Sequence, residues 1–262
     1  MTRIDKVMAA RKAAGKKAIF IYITAGAPDV RTTIEAVKRA EAAGADVIEL
    51  GLPFSDPMAD GPVIQTASVV ALKNGMTLAK ELDLVREIRK FSDIPLIGMG
   101  YINNMYHYGF EKFVEDFKAA GMDGVIIPDV PHEESGDLRR IAAAHDFVLA
   151  EFITPGTTAV RMEEICQDAS GFIYCVSNNG VTGVKKVDYS TIGAVCDTAR
   201  NYTRTPLAVG FGIGSSEAAV AAAAHADAVI VGSAVVKELL AGKLDEAAQL
   251  IADIREALDK SY

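Results

Sequence analysis

Three segments of the sequence share one layout and decide the fold: AAGADVI at residues 42–48, AAGMDGVI at residues 119–126 and AAHADAVI at residues 223–230. Each segment ends a helical pattern with small residues, turns at a glycine or a histidine, and enters an apolar run through an aspartate. A helix that leads at once into a buried strand is typical of a repeated strand and helix unit. The three junctions therefore predict a protein built from such units.

Eight short apolar runs alternate with segments whose apolar residues recur at helical spacing. Because the runs are apolar on both faces, they fit a parallel sheet that is covered by helices. Eight strands in one chain favour an α/β fold closed into a (β/α)8 TIM barrel, and an open doubly wound sheet is the alternative. The predicted strands cover residues 18–24, 46–50, 95–100, 124–128, 147–153, 172–177, 207–210 and 228–232.

The domain organisation follows from the absence of any linker-like stretch or shift in composition. Residues 1–262 are expected to form a single barrel domain with an additional N-terminal helix near residues 3–14. Two long loops, at residues 51–66 and 178–188, follow the second and sixth predicted strands. Loops that follow strands gather at the carboxyl-terminal face of a TIM barrel, where an active site is expected.

Charge and composition exclude several classes of function. The chain has 35 acidic and 27 basic residues, a net charge of -8, which disfavours binding to nucleic acid or to an anionic membrane. No apolar run approaches the roughly 18 residues of a membrane-spanning helix, and the first residues lack the apolar core of a signal peptide. Three cysteines without C-x-x-C spacing fit reduced thiols. We therefore expect a cytoplasmic protein with no nucleic-acid or membrane partner.

The second predicted strand carries the first candidate catalytic residue. Alternation places Val47 and Glu49 on one face of the strand, and Ile48 and Leu50 on the other. The two larger apolar side chains suit the helix-covered outside, so Glu49 is expected to point into the barrel at its mouth. Desolvation there would raise its pKa and make it a proton donor or acceptor near neutrality. A structural carboxylate satisfied by neighbouring donors is the alternative.

The loop after this strand brings two further carboxylates, Asp56 and Asp60, close to the same mouth. Three prolines restrict this loop, so both side chains can be held without regular structure. Asp56 fits the capping of a turn or of the next helix better than catalysis. For Asp60, capping and a place in the site are equally consistent with the sequence.

Glycine is concentrated after the last three predicted strands, in NGVTG at residues 179–183, GFGIGSS at residues 210–216 and GSA at residues 232–234. Backbone N–H groups in such turns and at helix N-termini bind phosphate without a lysine. The spacing is not that of a dinucleotide fingerprint. The segments indicate a small phosphorylated ligand, and tight turns alone are the alternative.

Two weaker signals concern metals and aromatic side chains. The four histidines show no paired spacing typical of a metal site, so none is expected. Tyr22, Tyr101 and Tyr174 lie near the ends of predicted strands. They could line an aromatic pocket, although tyrosine is also common in ordinary strands.

The most specific motif is ELGLPFSDPMADGPVIQ at residues 49–65, which closely resembles the signature of the tryptophan synthase alpha chain family. The resemblance extends from the first predicted strand to the eighth and covers essentially the whole chain. Further matches are YITAG at residues 22–26, PDVP at 128–131 followed by Glu133 and Glu134, YCVS at 174–177, GVTG at 180–183, GFGI at 210–213 and GSAVVK at 232–237.

This resemblance implies a barrel lyase that cleaves indole-3-glycerol phosphate into indole and glyceraldehyde 3-phosphate by a retro-aldol reaction. It implies that Glu49 is the general acid and base, that Asp60 accepts the indole N–H, and that Thr182 contacts the aspartate when the loop closes. The chain itself is expected to use no metal and no organic cofactor. The implied pocket residues are Tyr22, Tyr101, Tyr174 and Phe211, and the implied phosphate site comprises Gly183, Gly212, Gly232 and Ser233.

The resemblance also implies a partner, a beta subunit that carries pyridoxal phosphate (PLP) and receives the indole, in an assembly of two alpha and two beta chains. A stand-alone lyase that releases free indole and a module that mainly activates the beta chain are the alternatives, and the retention of both carboxylates speaks against the second. Asn178 stands where the family commonly has arginine, so loop closure is expected to depend more on the partner. The implied interface residues are Asp56, Asn103, Asp129 and Pro131.

Overall fold

A computed structural model describes residues 1–176 and 189–262 of the chain. Eight parallel strands, in sequence order, form a closed barrel in which the last strand pairs with the first. The prediction of a TIM barrel is confirmed, and the open sheet is excluded. The strands are β1 (Ala18–Thr24), β2 (Val47–Gly51), β3 (Leu96–Met99), β4 (Gly124–Ile126), β5 (Val148–Ile153), β6 (Ile173–Val176), β7 (Leu207–Gly210) and β8 (Ala228–Val231).

Helices surround this barrel, and the additional N-terminal helix is present as predicted. It is held at its start by a capping box between Thr2 and Asp5. In the described residues the helices are α1 (Arg3–Ala13), α2 (Val30–Ala42), α3 (Pro62–Lys73), α4 (Leu78–Arg89), α5 (Ile102–Tyr108), α6 (Phe110–Ala120), α7 (Gly136–Ala144), α8 (Ala159–Asp168), α9 (Tyr189–Ala199), α10 (Ser216–Ala223), α11 (Ser233–Leu240) and α12 (Leu244–Ser261), with a 3-10 turn at His132–Glu134.

The first predicted loop, residues 51–66, is shorter in the structure at both ends, and at its start Gly51 still belongs to β2. The first was predicted to run to residue 66, but α3 already begins at Pro62. Proline favours the first helical position because its fixed φ suits a helix and its missing N–H has no partner to lose there. The second predicted loop, residues 178–188, lies wholly outside the described residues.

Side chains inside and outside the barrel separate as the alternation along β2 predicts. Val47 belongs to the cluster that fills the barrel, whereas Ile48 and Leu50 belong to the layer between strands and helices. Ile4 and Met8 of α1 pack into the interior cluster, so this helix covers the amino-terminal end of the barrel. The opposite, carboxyl-terminal end is left for a site.

The three aspartates of the recurring junction fasten neighbouring strands to one another at the amino-terminal end. The side chain of Asp46 accepts the N–H of Ile19 at 2.9 Å, while its own backbone N–H donates to the carbonyl of Ile19 at 2.8 Å. Asp123 makes the same pair of bonds to Leu96. Each aspartate therefore closes a double bridge to the preceding strand. Asp227 repeats the arrangement on Leu207.

Arginines complete these bridges and explain the junction glycines. Arg89 lies 3.0 Å from the carboxylate of Asp123, and Arg3 of α1 contacts its other oxygen at 3.0 Å. A Cβ at Gly121 would lie 2.7 Å from Cγ of Arg89, and the residue has a φ of +109°, so only glycine suits the turn. Arginine also pairs with the other two junction aspartates, Arg11 and Arg255 with Asp46, and Arg200 with Asp227.

Two further predictions concern the cysteines and membrane-spanning helices. Cys166, Cys175 and Cys196 are all buried and free, as expected for packing residues. Among the described residues, no helix is both long and apolar enough to cross a membrane.

Candidate active site

A cavity opens at the carboxyl-terminal end of the strands, where the fold predicts the site. It brings together Glu49, Asp60, two predicted pocket tyrosines and the predicted glycine turns after β7 and β8. Thr182 and Gly183, also predicted for this site, lie outside the described residues. The described residues that line the cavity are Tyr22, Glu49, Ala59, Asp60, Ile64, Met99, Ile126, Pro128, Phe152, Tyr174, Phe211, Gly212, Ile213, Ile230, Gly232 and Ser233.

Glu49 points into the cavity from β2 and is only 3% exposed. Its Oε2 atom has no hydrogen-bond partner among the described residues. Burial, and secondarily the charge of Asp60, raises its pKa to about 8. The carboxyl therefore carries its proton near neutral pH and is free to give it to a bound molecule.

Asp60 reaches the same cavity from the loop before α3 and is also 3% exposed. Burial raises its pKa to about 6, and a hydrogen bond from Tyr101 opposes this effect. Its Oδ1 atom has no partner in the described part of the chain. At neutral pH the group is mainly ionised, with an open oxygen that can accept a hydrogen bond from a ligand.

Tyr101 supports Asp60 instead of lining the cavity, which refines its predicted place in the pocket. Its ring stacks on Phe54 with centroids 5.3 Å apart, and its hydroxyl accepts the N–H of Ala59 at 3.0 Å. The hydroxyl proton is then available to Asp60, with which it is hydrogen-bonded. One side chain thus fixes both the loop backbone and the carboxylate.

The side chains of Tyr22 and Tyr174 each occupy space that a glycine on the next strand leaves free, a role that the sequence did not indicate for these glycines. A Cβ at Gly51 would lie 2.1 Å from the hydroxyl oxygen of Tyr22, and a Cβ at Gly210 would lie 2.3 Å from that of Tyr174. Each glycine ends the strand that follows in the barrel order. One sequence pattern could have identified these contacts: a tyrosine on one strand, and a glycine at the carboxyl-terminal end of the next strand.

The side of the cavity predicted to bind phosphate combines strained backbone with a helix start. Phe211 has a φ of +81°, in the left-handed region that non-glycine residues rarely adopt, and Gly212 follows with a φ of +75°. The ring of Phe211 packs edge-on against Tyr174 at 6.3 Å. The helix α11 begins at Ser233 without a side-chain cap from the described residues, so its first N–H groups are available to an anion.

The four predicted interface residues lie around this mouth on the loops and helices that follow β2, β3 and β4. Asp56, Asn103, Asp129 and Pro131 are all exposed. Asp129 also accepts the backbone N–H of Ile102 at 3.0 Å and thereby ties the loop after β4 to the start of α5. Exposure is compatible with a partner contact, and the interface assignment stays a prediction.

Sequence reasoning missed the apolar half of the cavity wall. Phe152 projects inward near the end of β5, where it lies 5.2 Å from Tyr174 between ring centroids. Met99, Ile126 and Pro128 add further apolar surface. The inward parity of Phe152 along its strand was a usable signal, because Val148 and Ala150 share it.

One group of possible metal ligands lies outside the cavity. One ligand atom each from Glu111, Glu115 and His145 falls within 4.8 Å of the others. The two glutamates are exposed residues of α6, and exposed acidic pairs are common without an ion. The expectation that the chain uses no metal therefore stays a prediction.

The fold and the residues at the mouth of the barrel together define the class of protein. This is a TIM-barrel enzyme equipped for acid–base chemistry on a ligand with an apolar ring and an anionic end. Two buried carboxyl groups have pKa values on either side of neutrality, beside aromatic walls and uncapped backbone donors.

Known proteins agree with this class and identify the family. The family model described as tryptophan synthase alpha chain matches residues 8–261. A curated tryptophan synthase alpha chain from Caldanaerobacter subterraneus is 41% identical, with 98% of this chain and 100% of that protein covered. The crystal structure of tryptophan synthase subunit alpha from Legionella pneumophila is 36% identical with a TM-score of 0.91, and 99% of each chain is covered.

A structure of Mycobacterium tuberculosis tryptophan synthase is also similar, with 29% identity, a TM-score of 0.91 and 98% of each chain covered. The chain belongs to the tryptophan synthase alpha chain family. It is a carbon–carbon lyase of tryptophan biosynthesis and catalyses the alpha reaction.

Proposed function

We propose that this chain performs the alpha reaction with Glu49 as the proton-exchanging group and Asp60 as the anchor of the indole N–H. The substrate is indole-3-glycerol phosphate, and the products are indole and D-glyceraldehyde 3-phosphate. One observation carries the proposal: the two carboxyl groups share one buried cavity, and their pKa values of about 8 and about 6 keep one protonated and the other ionised at neutral pH.

The protons balance over one turnover. Glu49 gives its proton to C3 of the indole, which places positive charge on the ring nitrogen. The bond from C3 to the glycerol carbon then breaks, its electron pair returns to the ring, and the hydroxyl of that carbon becomes a carbonyl. The hydroxyl proton passes to the Glu49 carboxylate, so the catalyst is restored without any metal or redox step.

The remaining cavity residues fit the two ends of this substrate. The open Oδ1 of Asp60 accepts the ring N–H and stabilises the cation as it forms. Phe152, Tyr174 and Phe211 offer aromatic surface to the indole. The backbone at Gly212 and the start of α11 at Ser233 receive the phosphate. The resemblance adds Gly183 to the phosphate site and Thr182 as a contact of Asp60, and both lie outside the described residues.

The proposed partner and cellular compartment are those that the family resemblance implies. Indole passes to a beta chain that holds PLP, in an assembly of two alpha and two beta chains in the cytoplasm, while residues 1–262 act as one domain without a cofactor of their own. Asp56, Asn103, Asp129 and Pro131 contact that chain. Two apolar side chains support this use of the face, since Met58 and Tyr106 are 82% and 80% exposed beside these residues.

The test is indole release from indole-3-glycerol phosphate by the isolated chain and by the chain mixed with the beta chain of its own organism. We expect slow release alone and faster turnover in the mixture, because Asn178 stands where the family commonly has arginine. Equal turnover in both would favour the stand-alone lyase. No release in either, together with activation of the beta chain, would favour the activating module.

A further inference from the structure

A buried polar cluster lies outside the barrel, next to the loop that follows β4. Glu151 points outward from β5, on the opposite face from Phe152, and is 5% exposed. Its Oε2 lies 3.1 Å from Nδ1 of His132, and its Oε1 lies 3.5 Å from the guanidinium of Arg139. Asp168 contacts the same two partners at 3.7 and 3.0 Å. These partners offset the cost of burying the carboxylate of Glu151.

The cluster fastens the end of that loop to β5. The guanidinium of Arg139 donates to the backbone carbonyl of His132 at 2.9 Å, and the hydroxyl of Ser135 donates to the same carbonyl at 2.8 Å. His132 begins the 3-10 turn, so both its ring and its backbone are held. The loop therefore cannot shift without breaking charge-assisted hydrogen bonds.

The fastened loop reaches the active site by two contacts. Pro128 lines the catalytic cavity. Asp129 accepts the backbone N–H of Ile102, which directly follows Tyr101 in the sequence. The hydroxyl of Tyr101 is hydrogen-bonded to Asp60. A continuous set of contacts thus joins Glu151, on the outer face of β5, to the carboxylate that binds the indole ring.

We propose that Glu151, acting through His132 and Arg139, is a positioning residue for the alpha reaction. It holds the loop at residues 128–132 where Pro128 shapes the cavity and Asp129 holds Tyr101 against Asp60. The proposal rests on the function proposed above, since the reaction is its readout. A merely structural role would lower the stability of the fold and leave the substrate constants unchanged.

The experiment is a double-mutant cycle measured as kcat/KM for indole release from indole-3-glycerol phosphate. The variants are Glu151→Leu, Asp129→Ala and the pair together, each with its thermal unfolding midpoint. Asp227→Asn is the matched control, because Asp227 is bound by an arginine and a strand N–H but lies at the closed end of the barrel. Glu151→Gln keeps an acceptor oxygen and tests rescue.

We expect Glu151→Leu to lower kcat/KM about tenfold, with a raised KM, since small displacements of positioned groups are costly. In the Asp129→Ala background the same change should cost less than about twofold, because the acceptor of the Ile102 N–H is already removed. Glu151→Gln should retain most activity, and Asp227→Asn should lose stability alone. If Glu151→Leu does not fold, His132→Asn takes its place in the cycle.

The proposal would be overturned if the losses of kcat/KM in the two single variants simply multiplied in the double variant. An unchanged kcat/KM in Glu151→Leu would overturn it as well. Failure of the proposed function is a separate result, since the wild-type chain would then release no indole from this substrate.

Discussion

The two ends of the barrel hold buried carboxyl groups in opposite conditions. At the amino-terminal end, Asp123 accepts a strand N–H and contacts two arginines. At the mouth, Glu49 and Asp60 each keep an oxygen without a partner among the described residues, and burial raises both pKa values. The same functional group therefore serves cohesion at one end and chemistry at the other, and its partners decide which.

This difference has an energetic meaning. A buried carboxylate with charged and backbone donors recovers the hydration that it loses on folding. A buried carboxyl without them destabilises the fold until a ligand supplies the missing bonds. The open oxygens at the mouth are thus a local cost to stability that the clamped aspartates at the opposite end help to offset.

The largest expected effect is the loss of activity when the transferable proton of Glu49 is removed. Glu49→Gln should lower indole release about a thousandfold, because general acid–base catalysis depends on a transferable proton. The thermal midpoint at neutral pH should stay level or rise, since a desolvated carboxyl is removed. Retained turnover in a folded variant would show that another group moves the protons.

A pair of identical substitutions at the two ends comes next. Asp123→Asn should lower the free energy of unfolding by about 3 kcal/mol, because Arg89 and Arg3 lose a buried partner, and should leave kcat/KM within about twofold. Asp60→Asn should do the reverse, with activity reduced about a hundredfold and stability kept. Urea unfolding and indole release on both variants check this, and a shared response would end the distinction between the two ends.

Glu81 separates the effect of missing partners from that of position in the site. This residue of α4 is 2% exposed, its Oε2 has no partner among the described residues, and burial raises its pKa to about 8. Unfolding between pH 4.5 and pH 8 releases its proton, so its contribution makes stability fall as pH rises through this range.

Glu81→Leu should therefore raise the free energy of unfolding by about 2 kcal/mol at pH 7 and flatten its pH dependence, without altering kcat. The measurement is urea unfolding at several pH values. Wild-type and variant curves that stay parallel would show that Glu81 titrates normally in the folded protein.

The smallest effect concerns the support of Asp60. Tyr101→Phe removes a hydrogen bond that lowers the pKa of this carboxyl, so the pKa should rise and the acid limb of kcat/KM should move to higher pH. Activity at pH 7 should fall about tenfold. Tyr108→Phe is the control, since that phenol donates to Asp116 on the surface. An acid limb that shifts equally in both variants would remove the specific role of Tyr101.

The sequence predicted the barrel because its signal is local and repeated. The aspartate junctions and the two-sided apolar strands each report on one strand and helix unit, and β1 and β7 were predicted with the bounds that the structure has. The inward direction of Glu49 followed from alternation along a single strand. The start of α3 was misplaced, because the proline was interpreted as part of the loop. The third and fourth strands were predicted over residues 95–100 and 124–128 and are shorter in the structure.

The contacts between distant segments could not be predicted in the same way. Glu151 meets His132, and Tyr101 meets Ala59, only because the barrel brings separate loops to one face. Nor does the sequence show that Gly121 leaves room for Arg89. Residue types along the chain indicate which groups are available, but the partners that set each pKa are fixed by closure of the sheet.

The pH dependence of kcat/KM for indole release from indole-3-glycerol phosphate tests the central claim most directly. Asp60 must be ionised, so the rate should fall below about pH 6, and Glu49 must hold its proton, so it should fall above about pH 8. We predict a bell-shaped profile whose maximum lies between these values. A rate that stays level from about pH 5 to about pH 9 would contradict the assignment of the two carboxyl groups.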